Sequence, residues 1–538
     1  MAARVYDTPV LIVGAGPVGS VLALELARHN VPSMVVERSL APSPHPKMDY
    51  INGRSMELLH RLGLARAIRE RGIGPKHATD FLWTRGFDEP PVLVWHHPSV
   101  QEEQDRFAGV NDGSAPAEAY QRVQGSLLEE LVRDAAREHP LVTLCEGSTF
   151  TDLRLEQSGG VTATIADATA HRRDTVEARF LVACDGASST VRRCLGITLD
   201  ETQARTQHCS VYFTSRDPAL RRYGSAFVTV AARGLTLVSR DERETWTASM
   251  PVPADEPFAV DPMDVVQERL GVCFEVDRVL SVAQWEGTLA VAASYGKGSA
   301  FLAGDSAHQF FPMGGHGANT GIADAVDLGW KIAAVVTGWG GPRLLASYEL
   351  ERRPVALFNR ELCGGLRDVW LRFSRLAAAG ASREHLAGIL ERDAHQVDNL
   401  GVHFGYRYTA SPIIWPDPCP PPPWRADRIT PTTWPGSRAP AVRLTGGGQL
   451  FDRLGPGFTL VDLSGKGTGA PLATAAGERA VPVTHLELDD AAVRACWERD
   501  LVLVRPDQHV AWRGDAAPED WTAVLDRVTG QECRSTHP

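Results

Sequence analysis

The chain of 538 residues is short of lysine, with 5 Lys against 50 Arg. It has no run of five or more basic residues, and its net charge is −11. An acidic chain without a basic patch is a poor binder of nucleic acid or of anionic membranes. Disulfide signatures are missing too. The nine cysteines (145, 184, 194, 209, 273, 363, 419, 496 and 533) are odd in number and none form CxxC. That pattern suits reduced thiols in a cytoplasm. No apolar run approaches the ~18 residues of a membrane span. The N-terminal apolar run, Val10 to Val13, leads straight into glycines and is no signal-peptide core. What is present is ordinary for a globular protein: 43% hydrophobic and 22% charged residues. Disorder, collagen and disulfide scaffolds are thereby excluded. The length predicts three or four domains with ample core. The arginine skew fits a GC-rich genome.

The chain opens as strand, turn, helix, strand. Pro9-Val-Leu-Ile-Val13 reads as a strand buried on both faces. Gly14-Ala-Gly16-Pro17-Val18-Gly19 follows, then a helix from Val18 to His29, then the strand Ser33-Met-Val-Val-Glu37. Further helices are predicted over 55–71 and 125–138, and a buried strand over Phe180-Leu-Val-Ala-Cys184. Between about 205 and 290, β-branched and aromatic residues alternate with polar ones, which predicts an antiparallel sheet. Phe301-Leu-Ala303 is another buried strand, followed by a helix from about 318 to 337 and helical texture to about 398. Residues 411–440 are rich in proline and read as a strap. Beyond them, strands at 458–462, 501–504 and 509–512 and a helix at 518–528 predict a small α/β domain.

GxGxxG alone is a weak signal, but inside a βαβ unit it carries weight. Gly14 permits the tight turn, Gly16 lets a pyrophosphate approach the backbone, and Gly19 allows close helix–strand packing. The helix N-terminus offers free N–H groups and a positive dipole end. Glu37, 18 residues after Gly19, suits ribose hydroxyls, and so FAD or NAD over NADP. Two more segments end a strand on an Asp-Gly or Gly-Asp pair. They are Cys184-Asp185-Gly186 through Arg192, and the stretch 301–331 containing Gly304-Asp305. Asp305 can bond a polyol chain, and Gly314, Gly315 and Gly317 precede a helix start that can face an anionic ligand such as reduced flavin.

The three motifs, in this order, resemble those of the single-component (class A) flavoprotein aromatic hydroxylases, the p-hydroxybenzoate and phenol hydroxylase group. Residues 440–458 and 501–514 resemble the thioredoxin-like C-terminal domain of its phenol and polyketide branch, here without CxxC. The resemblance implies an α/β chain, α+β overall. A Rossmann-like FAD-binding domain (1–80, 105–200 and 290–400) would carry an inserted antiparallel substrate sheet (81–104 and 201–289). A linker (401–440) and the thioredoxin-like domain (441–538) would follow. It implies FAD, transient NAD(P)H and O2, a flavin C4a-hydroperoxide, and hydroxylation of a phenolic or other electron-rich ring in natural-product tailoring.

Residue by residue, the resemblance assigns Gly14, Gly16, Pro17, Val18 and Gly19 to the pyrophosphate turn, Glu37 to the ribose, and Arg38 to the adenine side. Arg54 would lie by the pyrophosphate and flavin, and Arg122 and Gln124 by the ribityl chain. Asp185 and Gly186 belong to the motif tied to FAD and NAD(P)H. Gly304 and Asp305 would take the ribityl chain, Pro312 the isoalloxazine, and Gly315, Gly317, Ala318 and Asn319 its pyrimidine end. Tyr212, Tyr223, Trp246, Met250, Met313 and His316 are the substrate-side candidates, with plain core as the competing reading for those in the sheet. His316 stands where relatives often carry Gln, Asp327 where they often carry Asn, and Lys47 where they often carry Arg. His308 reads as structural, bonding backbone or sealing its loop. Asp324 and Asp327 read as caps or ion pairs, His96-His97 as surface, and Trp285 and Tyr295 as packing. No residue presents itself as a general base. A Baeyer–Villiger or epoxidising relative is the alternative, and a flavin-binding assembly protein the remote one. The small partner would be an aromatic substrate, with room for a homo-oligomer through the C-terminal domain.

Overall fold

The structure, a computed structural model, describes residues 4–45, 47–167, 172–253, 260–394 and 399–531. Cys533 and the end of the helical stretch expected up to about 398 lie outside the described residues. The first sheet is built on Val5–Val13, which runs parallel to Ser33–Glu37 on one side and to Arg172–Ala183 on the other. Ala300–Leu302 and Val142–Glu146 extend it in parallel at either end. Helices cover the sheet, so its central strands have no wet face. That is why Val10, Leu11 and Ile12 form an unbroken apolar run, each fully buried. The helix Pro17–Arg28 packs between Gly125–Glu138 and His316–Val336. The last of these starts two residues before the expected Ala318. Gly315, at φ +66°, breaks the preceding turn and serves as its N-cap.

The second sheet has seven strands, in the order Arg278–Gly287, Thr206–Thr214, Thr245–Val252, Leu235–Ser239, Val228–Ala231, Phe81–Thr84, Leu93–Trp95. All neighbours are antiparallel except Val228–Ala231 with Phe81–Thr84. Strands from two distant stretches of chain thus share one sheet.

The C-terminal domain runs Phe458–Asp462, helix Ala470–Glu478, then the parallel strand Val483–Glu487. Leu501–Val504 returns antiparallel, hairpins into Val510–Gly514, and the helix Trp521–Val528 closes the unit. That βαβ-ββα order is thioredoxin-like. The strand at 483–487 escaped the sequence reading because it is an edge strand, mostly half-buried or exposed. The closing helix starts at Trp521, not 518, because the Asp520 side chain accepts the Thr522 N–H and caps it there. Proline-rich residues 411–440 form no helix, and they lie against the Val510–Gly514 strand through Trp415 N–H to Ala511 O (2.9 Å) and Gly436 N–H to Val510 O (2.7 Å). No helix among the described residues is long and apolar enough to cross a membrane.

Candidate active site

The first turn is shaped by two close approaches. Gly14 sits at φ +104°, where a Cβ would collide with the Cys184 carbonyl, and a Cβ on Gly19 would collide with the Gly14 carbonyl. Gly16 differs: a Cβ there would meet nothing within 4 Å. The backbone is therefore packed tightly on one side and open on the other. The helix it opens has Pro17 at its first position and no side-chain cap, which leaves its leading N–H groups for a ligand. Glu37, at the end of its strand, accepts the Ala15 and Ser39 N–H groups, both at 2.8 Å. Those bonds fix the carboxylate beside the turn, while Arg38 next to it is exposed.

The other two motifs converge on the same crevice. Gly186, at φ +79°, also has open space where a Cβ would be. One oxygen of Asp185 accepts Thr190 N–H (2.7 Å) and Val191 N–H (3.1 Å), and the other is buried without a partner among the described residues. Gly304 and Gly321 press against Val18, which brings the third motif onto the fingerprint helix. Asp305 is solvent-exposed, yet it is so walled in by protein that desolvation raises its pKa, with His308 and Lys47 opposing. Both facts fit a carboxylate on the floor of a deep cleft. Asn319 clamps the flavin loop: its amide donates to Tyr50 O (3.0 Å) and Gly315 O (2.6 Å), and its oxygen accepts Asn52 N–H. The helix His316–Val336 has no side-chain cap at Gly315, so its first N–H groups, from His316, Gly317 and Ala318, point out of the helix end unsatisfied by it. An open glycine cradle, an orphaned carboxylate oxygen, a carboxylate in a cleft and two uncapped helix ends together fit FAD.

His308 is structural, as expected, but its partner is not backbone. Its Nε2 meets Asp324 (2.9 Å), which also accepts Gly304 N–H (3.2 Å) and Arg352 Nε–H (2.8 Å). Asp324 and Asp327 are both ion-paired within the core. His96 is exposed and meets Asp80 (3.0 Å), beyond a strand that ends at Trp95.

Two of the arginines carry interdomain contacts. Arg54 is buried, and its terminal nitrogens are taken up by Glu57 (3.0 Å), the Gln508 side chain and the Asp507 carbonyl (2.6 Å). It therefore ties the C-terminal domain to the helix Gly53–Arg61, and only its Nε is left without a partner among the described residues. Arg122 donates to Glu242 (2.6 Å) and the Ser239 carbonyl (2.9 Å) and lies over Phe227. It joins the flavin domain to the second sheet. Gln124 behaves differently: its amide meets the Tyr212 hydroxyl.

Strand register decides the substrate candidates. His208, Ser210 and Tyr212 share one face of Thr206–Thr214. Their cross-strand partners there are Trp285, Ala283 and Ser281 on one side, and Ser249 and Thr247 on the other. This face looks at the flavin domain. The His208 ring stacks on Trp285 at 4.4 Å and meets Phe311, next to Pro312, at 5.8 Å. Tyr212 meets His45, whose Nδ1 lies 2.9 Å from Ser281 Oγ. Trp285 Nε1–H donates to Ser210 Oγ (2.9 Å), which pairs with Ser249 Oγ (2.6 Å). Met313 packs with Trp285 and Phe311 at the edge of this face. Burial, with Arg367 nearby, pushes the His208 imidazole down to about 4, so it is neutral at physiological pH.

Trp246 and Met250 occupy the opposite face, where Cys209, Val211 and Phe213 pack them onto the helix Pro262–Leu270. Tyr223 lies against Phe87, to whose carbonyl its hydroxyl donates (3.3 Å). Trp246 and Met250 are core because one residue of register puts a side chain on the other face, and Tyr223 packs on the edge of that core from the turn after Pro218–Arg221. His316 also turns away from the sheet. It is buried against His403 (5.8 Å) with Nε2 unpartnered among the described residues. Burial pushes its pKa down to about 4. His208, Ser210, Ser249, Ser281 and His45 were missed, and Trp285 was read as packing. The alternation in 206–214 was visible, but nothing in it said which face was wet. Beside Gln124, a cavity of about 330 Å³ separates residues 71–77 from Arg240, Asp241 and Arg243.

Comparison with known proteins agrees with this geometry. Residues 7–359 match the FAD binding domain family, and residues 432–531 match the aromatic-ring hydroxylase C-terminal family. The chain is 34% identical to an FAD-dependent monooxygenase (apdD) of Emericella nidulans, over 97% of this chain and 89% of that one. It is 31% identical to the tetracenomycin B2 monooxygenase-dioxygenase of Streptomyces olivaceus, over 97% and 98%. The structure of the rebeccamycin biosynthetic enzyme RebC with reduced flavin superposes with a TM-score of 0.87 at 32% identity, covering 98% of this chain and all of that one. A glycine cradle, a cleft carboxylate and a facing polar sheet thus stand in a chain that belongs to the FAD-binding aromatic-ring hydroxylase family, and it is a flavoprotein monooxygenase working with FAD, a reduced nicotinamide and O2.

Proposed function

We propose that this monooxygenase hydroxylates a phenolic, polycyclic aromatic intermediate of natural-product biosynthesis. The observation that carries the reading is the face of the second sheet opposite the flavin loop. There an aromatic shelf, Trp285 with His208, borders a row of hydroxyls: Ser210, Tyr212, Thr247, Ser249 and Ser281. A flat ring system with oxygen functions along an edge matches both parts. The names of two similar proteins carry tetracenomycin and rebeccamycin, which supports a polycyclic substrate over a simple phenol.

Bound FAD would supply the redox chemistry, accepting the reducing equivalents of NAD(P)H and activating O2. The residues of the chain supply the rest. Gly16 and the leading N–H groups of Pro17–Arg28 would hold the pyrophosphate, Glu37 the ribose, and Asp305 the ribityl hydroxyls. The N-terminus of His316–Val336 places positive potential at the pyrimidine end, where reduction adds negative charge. Neutral His208 accepts a hydrogen bond from a phenolic hydroxyl and so fixes which ring carbon faces the flavin. Phe311, Met313 and Trp285 keep water from the oxygen-transfer site.

The test is NADPH and NADH oxidation by the FAD-loaded protein, with peroxide trapped, across simple phenols, hydroxypyridines, polycyclic quinones and phenols, ketones and alkenes. A polycyclic phenol that accelerates oxidation and gains one oxygen without peroxide release supports the reading. Productive turnover of simple phenols alone, or of ketones or alkenes alone, overturns it. We also assign the chain to a reducing cytoplasm, on the ground that all eight described cysteines are free. Assembly through the C-terminal domain gains no support. None of its described residues is an exposed large hydrophobic, whereas Leu350, Phe358 and Leu371 of the long helix Pro342–Ala378, and Trp424, are.

A further inference from the structure

Beneath the helix His316–Val336 lies a wholly buried charge cluster assembled from three parts of the chain. That helix contributes Asp327 and Lys331, and the helix Pro342–Ala378 contributes Glu351. The C-terminal domain contributes Arg505 and Asp507. Lys331 lies 2.7 Å from Asp327 and 2.6 Å from Glu351. Arg505 donates to both Glu351 oxygens (2.8 and 2.9 Å), to Asp327 (2.9 Å) and to Asp507 (2.6 Å). One guanidinium therefore bridges the two helices. Three residues on, Gln508 takes Arg54, whose helix Gly53–Arg61 follows directly on Asn52, the partner of the flavin-loop clamp Asn319. A third line of contact starts at His509, which packs on Tyr408 (4.4 Å). The Tyr408 hydroxyl receives Arg352 (3.3 Å), and Arg352 holds Asp324, the acceptor of Gly304 N–H beside Asp305. The loop Arg505–His509 is also locally strained, with Gln508 at φ +67°.

We infer that Arg505 is a positioning residue for the flavin: through the loop Arg505–His509, the C-terminal domain sets the pose of the flavin loop and of Gly304–Asp305. The domain carries no CxxC, and its apolar core alone would make it a passive support. The three contact lines all run from one five-residue loop to the three segments that surround the flavin site, and this convergence is what a passive support lacks.

The experiment measures the Kd of the full-length apoprotein for FAD, by quenching of flavin fluorescence well below the melting temperature. It compares Arg505→Met, Arg505→Lys, Gln508→Ala and a control, Asp417→Asn. The control removes an ion pair of Arg513 that lies between strap and C-terminal domain, away from these lines. Arg505→Met leaves three buried carboxylates against one lysine, and if it does not fold, Arg505→Lys and Gln508→Ala carry the test. The expected result is a Kd at least tenfold weaker in Arg505→Met, partly recovered in Arg505→Lys, about threefold or more weaker in Gln508→Ala, and unchanged in the control. A merely structural role lowers the melting temperature but leaves the folded protein's affinity alone. Kd values within twofold of wild type for Arg505→Lys and Gln508→Ala overturn the inference. Wild-type protein that fails to bind FAD would overturn the cofactor assignment with it.

Discussion

Gly16 and Gly19 belong to one motif but answer to different demands. At Gly19 a side chain collides with the turn itself, while at Gly16 it enters the space left for the ligand. Gly19→Ala is therefore expected to destabilise the apoprotein. Gly16→Val should leave its melting temperature nearly unchanged but weaken FAD at least tenfold, about 1.4 kcal/mol. Calorimetry of the apoproteins beside FAD titration separates the two. His316 gives a second residue-level outcome. Burial holds its pKa at about 4, and that of His509 at about 4, against 6.5 in an exposed histidine. Between those values the unfolded chain binds protons that the native one does not. Their contribution to stability is therefore complete above about pH 6.5 and falls as pH drops towards 4, by about 1.4 kcal/mol per pH unit for each. Melting curves from about pH 7 to pH 5 should show the loss. His316→Gln should shallow that slope, and an unchanged slope would assign the acid sensitivity elsewhere.

The strand Thr206–Thr214 and its neighbours show how an element divides structure from chemistry. Met250 and Ser249 are adjacent in sequence but face opposite sides of the sheet. Met250→Ala opens a cavity in the core under the helix Pro262–Leu270 and should cost about 2–5 kcal/mol. Its effect on substrate should follow stability alone. Ser249→Ala should change stability by about 1 kcal/mol or less and shift KM or the fraction of reductant lost to peroxide. Denaturant titration and coupled turnover on the same pair read both axes. The sequence showed the alternation here, and the strands themselves, but not its sense. Tyr212 lies on the face that looks at the flavin domain, whereas Trp246 and Met250 lie on the core face, since a large aromatic or a methionine suits either. The contacts of Arg54 and Arg122 were hidden for a related reason. Each arginine lies where the motif order puts it, but Gln508 and Asp507 for Arg54, and Glu242 and Ser239 for Arg122, come from over 100 residues away.

The whole molecule is held together by more than linkers. Trp330, Ala334, Trp339 and Leu344 of the flavin domain share one apolar cluster with Phe458, Leu460, Leu501, Leu503 and Trp512 of the C-terminal domain. Arg438 of the strap is paired with Glu57 in a buried contact. Separating the domains would expose this cluster and leave Glu351 and Asp327 with Lys331 alone. Chemical denaturation should therefore give a single transition by fluorescence and circular dichroism. A chain ending at residue 440 should be poorly soluble and bind no FAD. Two resolved transitions, or a truncated chain that is yellow when purified, would show the domains to be independent.

The sequence by itself determined the βαβ fingerprint, the order of the three motifs, the helix at 125–138 and the strands at 458–462 and 501–504. Each is written in a short continuous stretch, where glycine's conformational freedom, burial on both faces or a capping side chain acts within a few residues. Only the tertiary structure decided which face of the second sheet meets the flavin loop, where Arg54, Arg122 and His308 find their partners, and that Arg505 reaches beneath the flavin helix. Those outcomes depend on strand register and on the docking of distant segments, and a buried charge or a sheet face acquires its meaning only from what the folded chain sets against it.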